Sequence, residues 1–336
     1  MPKLASQIAP QRSTQYAQLA SQLAAPELQL SPLGSHIQHV EPTPLGGQEY
    51  LLLDLDQPLD DALLHELGTL AMTSAHFEFF DRLGDVEGPL LRPLTPSFQP
   101  TLPPDIVTAR RYKGKTNEML TQFMLNIARH SSAFAHRPWD TLRLYDPLAG
   151  GGTTLFTGLM LGMEVAGSDE DRQAIDGTAQ FLQQYGKEQR IGINVRTESL
   201  KNIGKRWWID IKQGGTVQRC LLSRADVGDG AQALHGFKKP HLIVTDLPYG
   251  IQHNGELISL LKNALPVWEG LLDEGGALAF SWDATRFPRE DMIAQVETIS
   301  GLRVLDEAPY NTLTHQVDRV IKRRDVIVAL RNESPN

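Results

Sequence analysis

Leu144-Tyr145-Asp146-Pro147-Leu148-Ala149-Gly150-Gly151-Gly152-Thr153-Thr154 carries the strongest structural signal in the chain. An apolar run at 142–145 reads as a strand and ends on an acidic residue. Three glycines follow, then a helix expected from about 153 to 161. Glycines let the backbone turn tightly and approach a ligand closely. The helix start offers unpaired N–H groups and the positive end of its dipole. The next strand, 165–167, runs into Ser168 and Asp169, and an acidic residue there can hold both hydroxyls of a ribose. A glycine-rich connection that merely turns the chain is the plain alternative.

Outward from this segment the pattern alternates. Met119, Leu120, Phe123, Met124 and Ile127 fall at helical spacing in a helix expected over 116–130. Further helices are expected at 172–185 and 257–272, the latter with Pro266 as a kink candidate. Strands are expected at 220–222, 242–245 and 277–282, with a final pair at 302–305 and 326–330. Alternating strands and helices imply an α/β class, a mostly parallel doubly wound sheet covered on both faces. The first hundred residues read differently. A polar helix is expected over 1–30, two strands at 36–40 and 49–55 around Pro42–Gly47, and a helix over 60–80 carrying Leu63, Leu64, Leu67, Leu70 and Met72. Prolines 89, 93, 96, 100, 103 and 104 mark a linker. The expected division is a smaller α+β region at 1–104 and a main domain at 105–336.

The chain has 336 residues, long enough for a sizeable core. No apolar stretch is long enough to span a bilayer, and the start lacks the apolar centre of a signal peptide. The one cysteine, Cys220, excludes an intrachain disulfide and a cysteine-based zinc site, and a cytoplasmic setting is expected. Of the net −8, all resides in residues 1–100, which hold 4 basic and 12 acidic residues. That region is ill suited to gripping phosphates alone, and a protein could equally be its partner.

The second informative segment is His241-Leu242-Ile243-Val244-Thr245-Asp246-Leu247-Pro248-Tyr249-Gly250, a buried-type strand leading directly into Asp-Leu-Pro-Tyr. Together the two segments resemble the class I S-adenosylmethionine-dependent methyltransferases, and more narrowly those that methylate an amino group of a nucleobase. That family carries an Asp-Pro-x-x-Gly-x-Gly-like cofactor loop and an (Asp/Asn)-Pro-Pro-(Tyr/Phe) catalytic loop. Here Leu247 replaces the first proline. This variant and Gly250 look more like the RNA guanine-N2 methyltransferases than the DNA adenine enzymes. The likeness covers roughly 105–330. It implies a Rossmann-like domain with a seven-stranded sheet, the last strand antiparallel. It also implies S-adenosylmethionine as cofactor, held by Asp146, Pro147, Ala149, Gly150, Gly151, Gly152, Thr153 and Asp169. By the same likeness Asp226 would contact the adenine amino group, although a turn bonding its own backbone explains it as well. Thr116 would lie against the methionine end, although helix capping explains it equally.

The chemistry fits the residue types. An exocyclic amino group is a poor nucleophile because its lone pair is delocalised into the ring. Asp246 and the Leu247 carbonyl can accept its hydrogen bonds and localise that lone pair. Pro248 stiffens the turn, and Tyr249 offers a flat face to a flipped base. No metal is needed. An ordinary strand-end turn, with Asp246 as a cap, is the bland alternative.

Basic residues form three runs: Arg110, Arg111, Lys113 and Lys115; Lys201, Lys205, Arg206 and Lys212 around Trp207-Trp208; and Arg319, Lys322, Arg323 and Arg324. Arg111, Lys113, Arg206, Trp207 and Trp208 are candidate substrate contacts, because cations beside aromatics suit an unpaired nucleic acid strand. For the tryptophan segment, which looks inserted, burial of both rings in the core is an equal alternative. The stretch 109–116 is one residue from a P-loop, but such a loop needs a strand immediately before it. His76, His130, His235 and His253 lack metal-ligand spacing. The expected function is therefore methylation of a base amino group in RNA, guanine N2 of tRNA or rRNA in particular. A DNA adenine-N6 or cytosine-N4 methyltransferase is the nearest rival. A catalytically inactive methyltransferase fold serving as a binding subunit is the alternative of another class.

Overall fold

Five antiparallel strands form the first sheet of this computed structural model, in the order β2-β3-β1-β4-β5. They are β1 (Lys3–Ile8), β2 (Ile37–Leu45), β3 (Gln48–Leu55), β4 (Thr73–Leu83) and β5 (Val86–Leu94). Two helices accompany them, α1 (Leu19–Leu30) and α2 (Asp61–Leu67). The described residues are 1–10, 16, 18–201, 203–248, 254–317 and 322–332.

Three expectations are corrected here. Residues 1–30 are not one helix: Lys3–Ile8 is the central strand, pairing Leu4 with Leu53 on one side and Glu78 on the other. The helix expected over 60–80 stops at Gly68, and the chain re-enters the sheet as β4 at Thr73. His76, Phe77, Phe79 and Phe80 suit a pleated surface better than a helix. The linker expected around Pro89–Pro93 is instead β5. It lies at the sheet edge, where a proline's missing N–H costs no ladder bond. The other edge, β2, tolerates Pro42 and Pro44 for the same reason.

The second sheet belongs to the remainder. Its strands are β6 (Arg143–Asp146), β7 (Glu164–Asp169), β8 (Gly192–Leu200), β9 (Gly204–Gln213), β10 (Thr216–Arg224), β11 (Leu242–Asp246), β12 (Ala277–Asp283), β13 (Arg303–Leu305), β14 (His315–Gln316) and β15 (Arg323–Leu330). The helices between them are α3 (Ile106–Ala109), α4 (Glu118–Ser131), α5 (Thr153–Leu161), α6 (Arg172–Gln189), α7 (Gly230–Ala233), α8 (Asn254–Leu271) and α9 (Arg289–Ile299). The order is β13-β15-β12-β11-β6-β7-β10-β9-β8, with β14 beside β15. The central pairs β12–β11, β11–β6, β6–β7 and β7–β10 are parallel. The sheet is doubly wound: Leu144 faces Gly158 of α5, while its neighbour Tyr145 packs in the cluster that holds Leu261, Leu265 and Trp268 of α8. Instead of seven strands the described residues give ten, because β8 and β9 extend one edge as a hairpin and β14 is added.

From β6 the chain moves toward β7 and β10; at β11 it begins again on the other side of β6. Such a switch point opens a crevice at the carboxyl ends of the strands, here those of β6 and β11. By contacts the chain divides into two units, Met1–Gln99 with Asp306–Arg324, and Pro100–Leu305 with Asp325–Asn336. The expected boundary after 104 thus moves to Gln99, and Asp306–Arg324 leaves the main domain. In the first unit the Gln316 N–H donates to Gln22 Oε1 of α1 at 2.9 Å. No helix among the described residues is long and apolar enough to cross a membrane.

Candidate functional site

A cavity of about 400 Å³ occupies that crevice, within the size range of small-molecule sites. Its floor is the segment from Asp146 to Gly151, with Thr153 and Thr154 at the start of α5. Gly150 and Gly152 take φ of +47° and +91°, conformations in which a side chain would be strained. Gly152 also caps α5, so the N–H groups of that helix start open at the cavity. Gly151 needs its missing side chain for another reason. A Cβ there would lie 2.2 Å from Cζ of Tyr112. The Tyr112 ring thus packs flat on the loop, with its hydroxyl 2.5 Å from Thr153 Oγ1. Arg110 fixes the same strap by donating to the Gly151 carbonyl and to Thr178 Oγ1, each at 2.5 Å. Nothing in the local sequence marks Tyr112 as a site residue; only folding brings it there. The P-loop alternative fails, because a helical turn, α3, precedes this segment where a strand is required.

The acidic residues divide the cavity by chemistry. Asp169 closes β7 and accepts from the Gly150 N–H through Oδ2 and the Asp171 N–H through Oδ1, both at 2.8 Å. Each oxygen keeps a second acceptor site, as two neighbouring ribose hydroxyls require. Asp226 both lines the cavity and accepts from the Gly228 N–H at 2.9 Å, so turn and pocket roles coexist. Asp146 is buried beneath the loop, accepting from Thr245 Oγ1 at 2.7 Å and the Leu148 N–H at 3.1 Å. Burial pushes its carboxyl up to about 7, against the pull of hydrogen bonds from Thr245, Thr154 and Leu148.

Asp246 ends β11 at the other side of the cavity. Its Oδ2 accepts from Thr116 Oγ1 at 2.7 Å and its Oδ1 from Ser281 Oγ at 2.6 Å. Thr116 is free for this because Asn117, not Thr116, caps α4 through the Met119 and Leu120 N–H groups. Ser281 comes from the adjacent strand β12, in register with Asp246. Sequence reasoning missed it, since no motif marks it. Leu247 turns its side chain into the core, 2% exposed, while its N–H donates to the Ser281 carbonyl. A proline at this position would lack that N–H. Pro248 is exposed at the rim. Tyr249, Gly250, His253 and Arg319 lie outside the described residues.

The cavity therefore brings together Thr116, Asp146, Pro147, Ala149, Gly150, Gly151, Thr153, Asp169, Asp226, Asp246, Leu247 and Pro248. It does not include the candidate substrate contacts. Arg111 and Lys113 are exposed beside it. Arg206 is 2% exposed and donates to the carbonyls of Ala233 and His235 while pairing with Glu198. Trp207 is 4% exposed on the face opposite Arg206. For Trp207 the core explanation is correct, because strand alternation turns its ring inward; Arg206 is buried on the other face by those polar partners, and Trp208 stays half-buried.

No protein-family model matches the sequence, and no curated protein matches it either. Among solved structures, the chain is similar to TrmN from Thermus thermophilus at 14% identity, covering 98% of this chain and 100% of that one with a TM-score of 0.47. It is similar to the T. thermophilus 16S rRNA N2 G1207 methyltransferase RsmC, in complex with AdoMet and guanosine, at 14% identity over 89% of this chain and 60% of that one, TM-score 0.38. The magnesium protoporphyrin IX methyltransferase ChlM of Synechocystis PCC 6803 gives 12% identity over 66% and 87%, TM-score 0.36. Identities and scores of this size assign no substrate and no residue role, so function rests on the site itself.

Proposed function

We propose that the chain transfers a methyl group from S-adenosylmethionine to an exocyclic amino group of a base in RNA, guanine N2 of tRNA or rRNA in particular. The observation that carries this reading is one cavity with a nucleoside-binding end, Gly150, Gly151 and Asp169, and a hydrogen-bonded carboxylate, Asp246, at its other side. The residues present fit the cofactor: two glycines at positive φ leave the loop bare, and Asp169 has acceptor capacity for a ribose. When bound, the cofactor supplies an electrophilic methyl group. The chain does the rest by placement. Asp246, held through both oxygens, accepts a hydrogen bond from the substrate amino group and localises its lone pair. The Leu247 carbonyl is the second acceptor, and Pro248, at the rim, stiffens the turn. Asp226 takes the adenine end, and Thr116 ties the cofactor side to the carboxylate. The acidic first unit, by its charge, suits a protein partner better than bare phosphates.

The test is transfer of radiolabelled methyl from S-adenosylmethionine to total bacterial RNA and, separately, DNA, followed by nucleoside analysis. Label in N2-methylguanosine supports the reading. Label in N6-methyladenine or N4-methylcytosine of DNA, or bound cofactor with no turnover, would replace it.

A further inference from the structure

The β8–β9 hairpin carries a second hollow, of about 480 Å³, away from the cofactor cavity; Arg196, Glu198, Trp208, Arg219 and Gly236 line it. Antiparallel register places Arg196 opposite Trp208, Glu198 opposite Arg206, and Asp210 opposite Arg219. Directly opposed residues share a sheet face. The other face holds the buried Trp207, Ile209 and Ile211, and Ile193 there meets Gly186 of α6. One side of the hairpin is thus core, and the other carries the hollow.

Charge is concentrated in this region. Residues 192–224 hold seven basic residues and two acidic ones, whereas the rest of the chain holds 25 basic and 38 acidic. Both acids are answered from within: Glu198 by the buried Arg206, and Asp210 by Arg219 at 3.6 Å. Arg196 is exposed and has no acidic partner among the described residues. Lys212, on the same face as Trp208, and Lys201 are exposed as well. The Trp208 ring is fixed, since its Nε1–H donates to Glu198 Oε1 at 2.6 Å, with the Arg206 and Arg219 guanidiniums 5.5 and 5.9 Å from the ring centre. A cationic strip around an immobilised, half-exposed aromatic is what an unpaired polynucleotide strand binds, phosphates to the arginines and a base on the stack.

We infer that this face of the β8–β9 hairpin is an auxiliary docking surface for an unpaired RNA strand, with Arg196 and Arg219 taking phosphates and Trp208 a base. The inference rests on the proposed RNA methyltransferase function for its choice of partner. Four strand spacings separate β9, which carries Trp208, from β11, roughly 19 Å. The strand held here is therefore not the target nucleotide but one several positions away.

The test is fluorescence anisotropy of the full chain with a labelled 15-nucleotide single-stranded RNA of mixed sequence. The Arg196→Glu/Arg219→Glu double variant is expected to bind at least tenfold more weakly, with a salt slope shallower by about 1.4 for two lost phosphate contacts. Trp208→Leu, which keeps apolar bulk, should weaken binding about tenfold. S-adenosylmethionine affinity should hold in the double variant, while its melting temperature falls by a few degrees because the new carboxylate at 219 faces Asp210. The control Lys262→Glu/Arg303→Glu reverses two exposed cations elsewhere in the same unit and should leave binding nearly intact. Wild-type affinity in the hairpin variant, an equal loss in the control, or absence of RNA binding by the wild type would overturn the assignment. Tighter binding of a DNA strand of the same sequence would overturn the choice of RNA. Failure of the wild type to bind S-adenosylmethionine, with hairpin-dependent RNA binding intact, would remove the methyltransferase reading and leave the surface.

Discussion

Thr116 Oγ1 donates to Asp246 Oδ2 at 2.7 Å across 130 residues of sequence. This bond joins the segment before α4, which borders the glycine loop through Tyr112, to the carboxylate at the end of β11. With Ser281 on the other oxygen, the Asp246 side chain is held at both ends of its carboxylate.

If that carboxylate works on the substrate amino group, Asp246→Ala should reduce methyl transfer by at least ~10²-fold while leaving cofactor affinity nearly intact. Asp246→Asn should be milder, since the amide oxygen still accepts. Thr116→Ala should cost about tenfold, the scale of one hydrogen bond to a charged group, and Thr116→Ser should restore most of the rate. Single-turnover assays at saturating cofactor measure this. A wild-type rate in Asp246→Ala would end the proposed mechanism.

Gly151 adopts an ordinary backbone conformation, so the obstacle to a side chain there is the Tyr112 ring. Gly151→Ala should therefore destabilise by about 1–3 kcal/mol through overpacking, and weaken S-adenosylmethionine binding as the strap shifts. In a Tyr112→Ala background the same substitution should cost much less. A double-mutant cycle by thermal melting and calorimetry reads the coupling; strict additivity would show that the ring is not the obstacle.

Asp146 gives a pH signature. Its carboxyl is raised in the fold to about 7 from an ordinary 3.8. The stabilisation linked to its proton is complete below about pH 4 and fades as pH climbs through about 7, because the unfolded chain releases that proton first. Wild-type melting temperature should decline from pH 5 to 8 more steeply than that of Asp146→Asn. Affinity for the cationic S-adenosylmethionine should rise over the same window, whereas affinity for the neutral S-adenosylhomocysteine should change less. Parallel melting profiles for the two proteins would refute the assignment.

Trp207 is a core residue, and its substitution should behave so. Trp207→Ala is expected to cost about 3–5 kcal/mol, lowering the melting temperature without changing the salt slope of RNA binding. An RNA-binding defect in a variant that melts like wild type would reverse this.

Legibility in the sequence followed local periodicity. The run from β6 through α6 was plain, and α5 spans the expected Thr153–Leu161, because glycines punctuate strongly periodic elements there. The first unit was harder. β1 is six residues long with polar Ser6 and Gln7, so no apolar run announces it. The leucines of α2 invite a longer helix than Gly68 permits, and β5 hides behind prolines that only its edge position excuses. In the site, the glycine loop, Asp169 and Asp246 were legible as motifs. Tyr112 and Ser281 were not, because each meets its partner in the site, Gly151 and Asp246 respectively, from a distant part of the sequence. Trp207 and Trp208 are adjacent letters with opposite fates, decided by which way a strand's pleat turns.

The return of Asp306–Arg324 to the first unit makes that unit a product of both ends of the chain. A ribosome that has finished β5 must still make everything through Leu305 before Gln316 can reach Gln22. At about 5–20 residues per second that interval is roughly 10–40 s. During it the first sheet, whose five strands are already made, stands without the Asp306–Arg324 segment while the second unit emerges, so this protein's halves mature nested rather than in sequence. Trimming the carboxyl terminus back to Leu305 would damage the amino-terminal unit as well as remove β15.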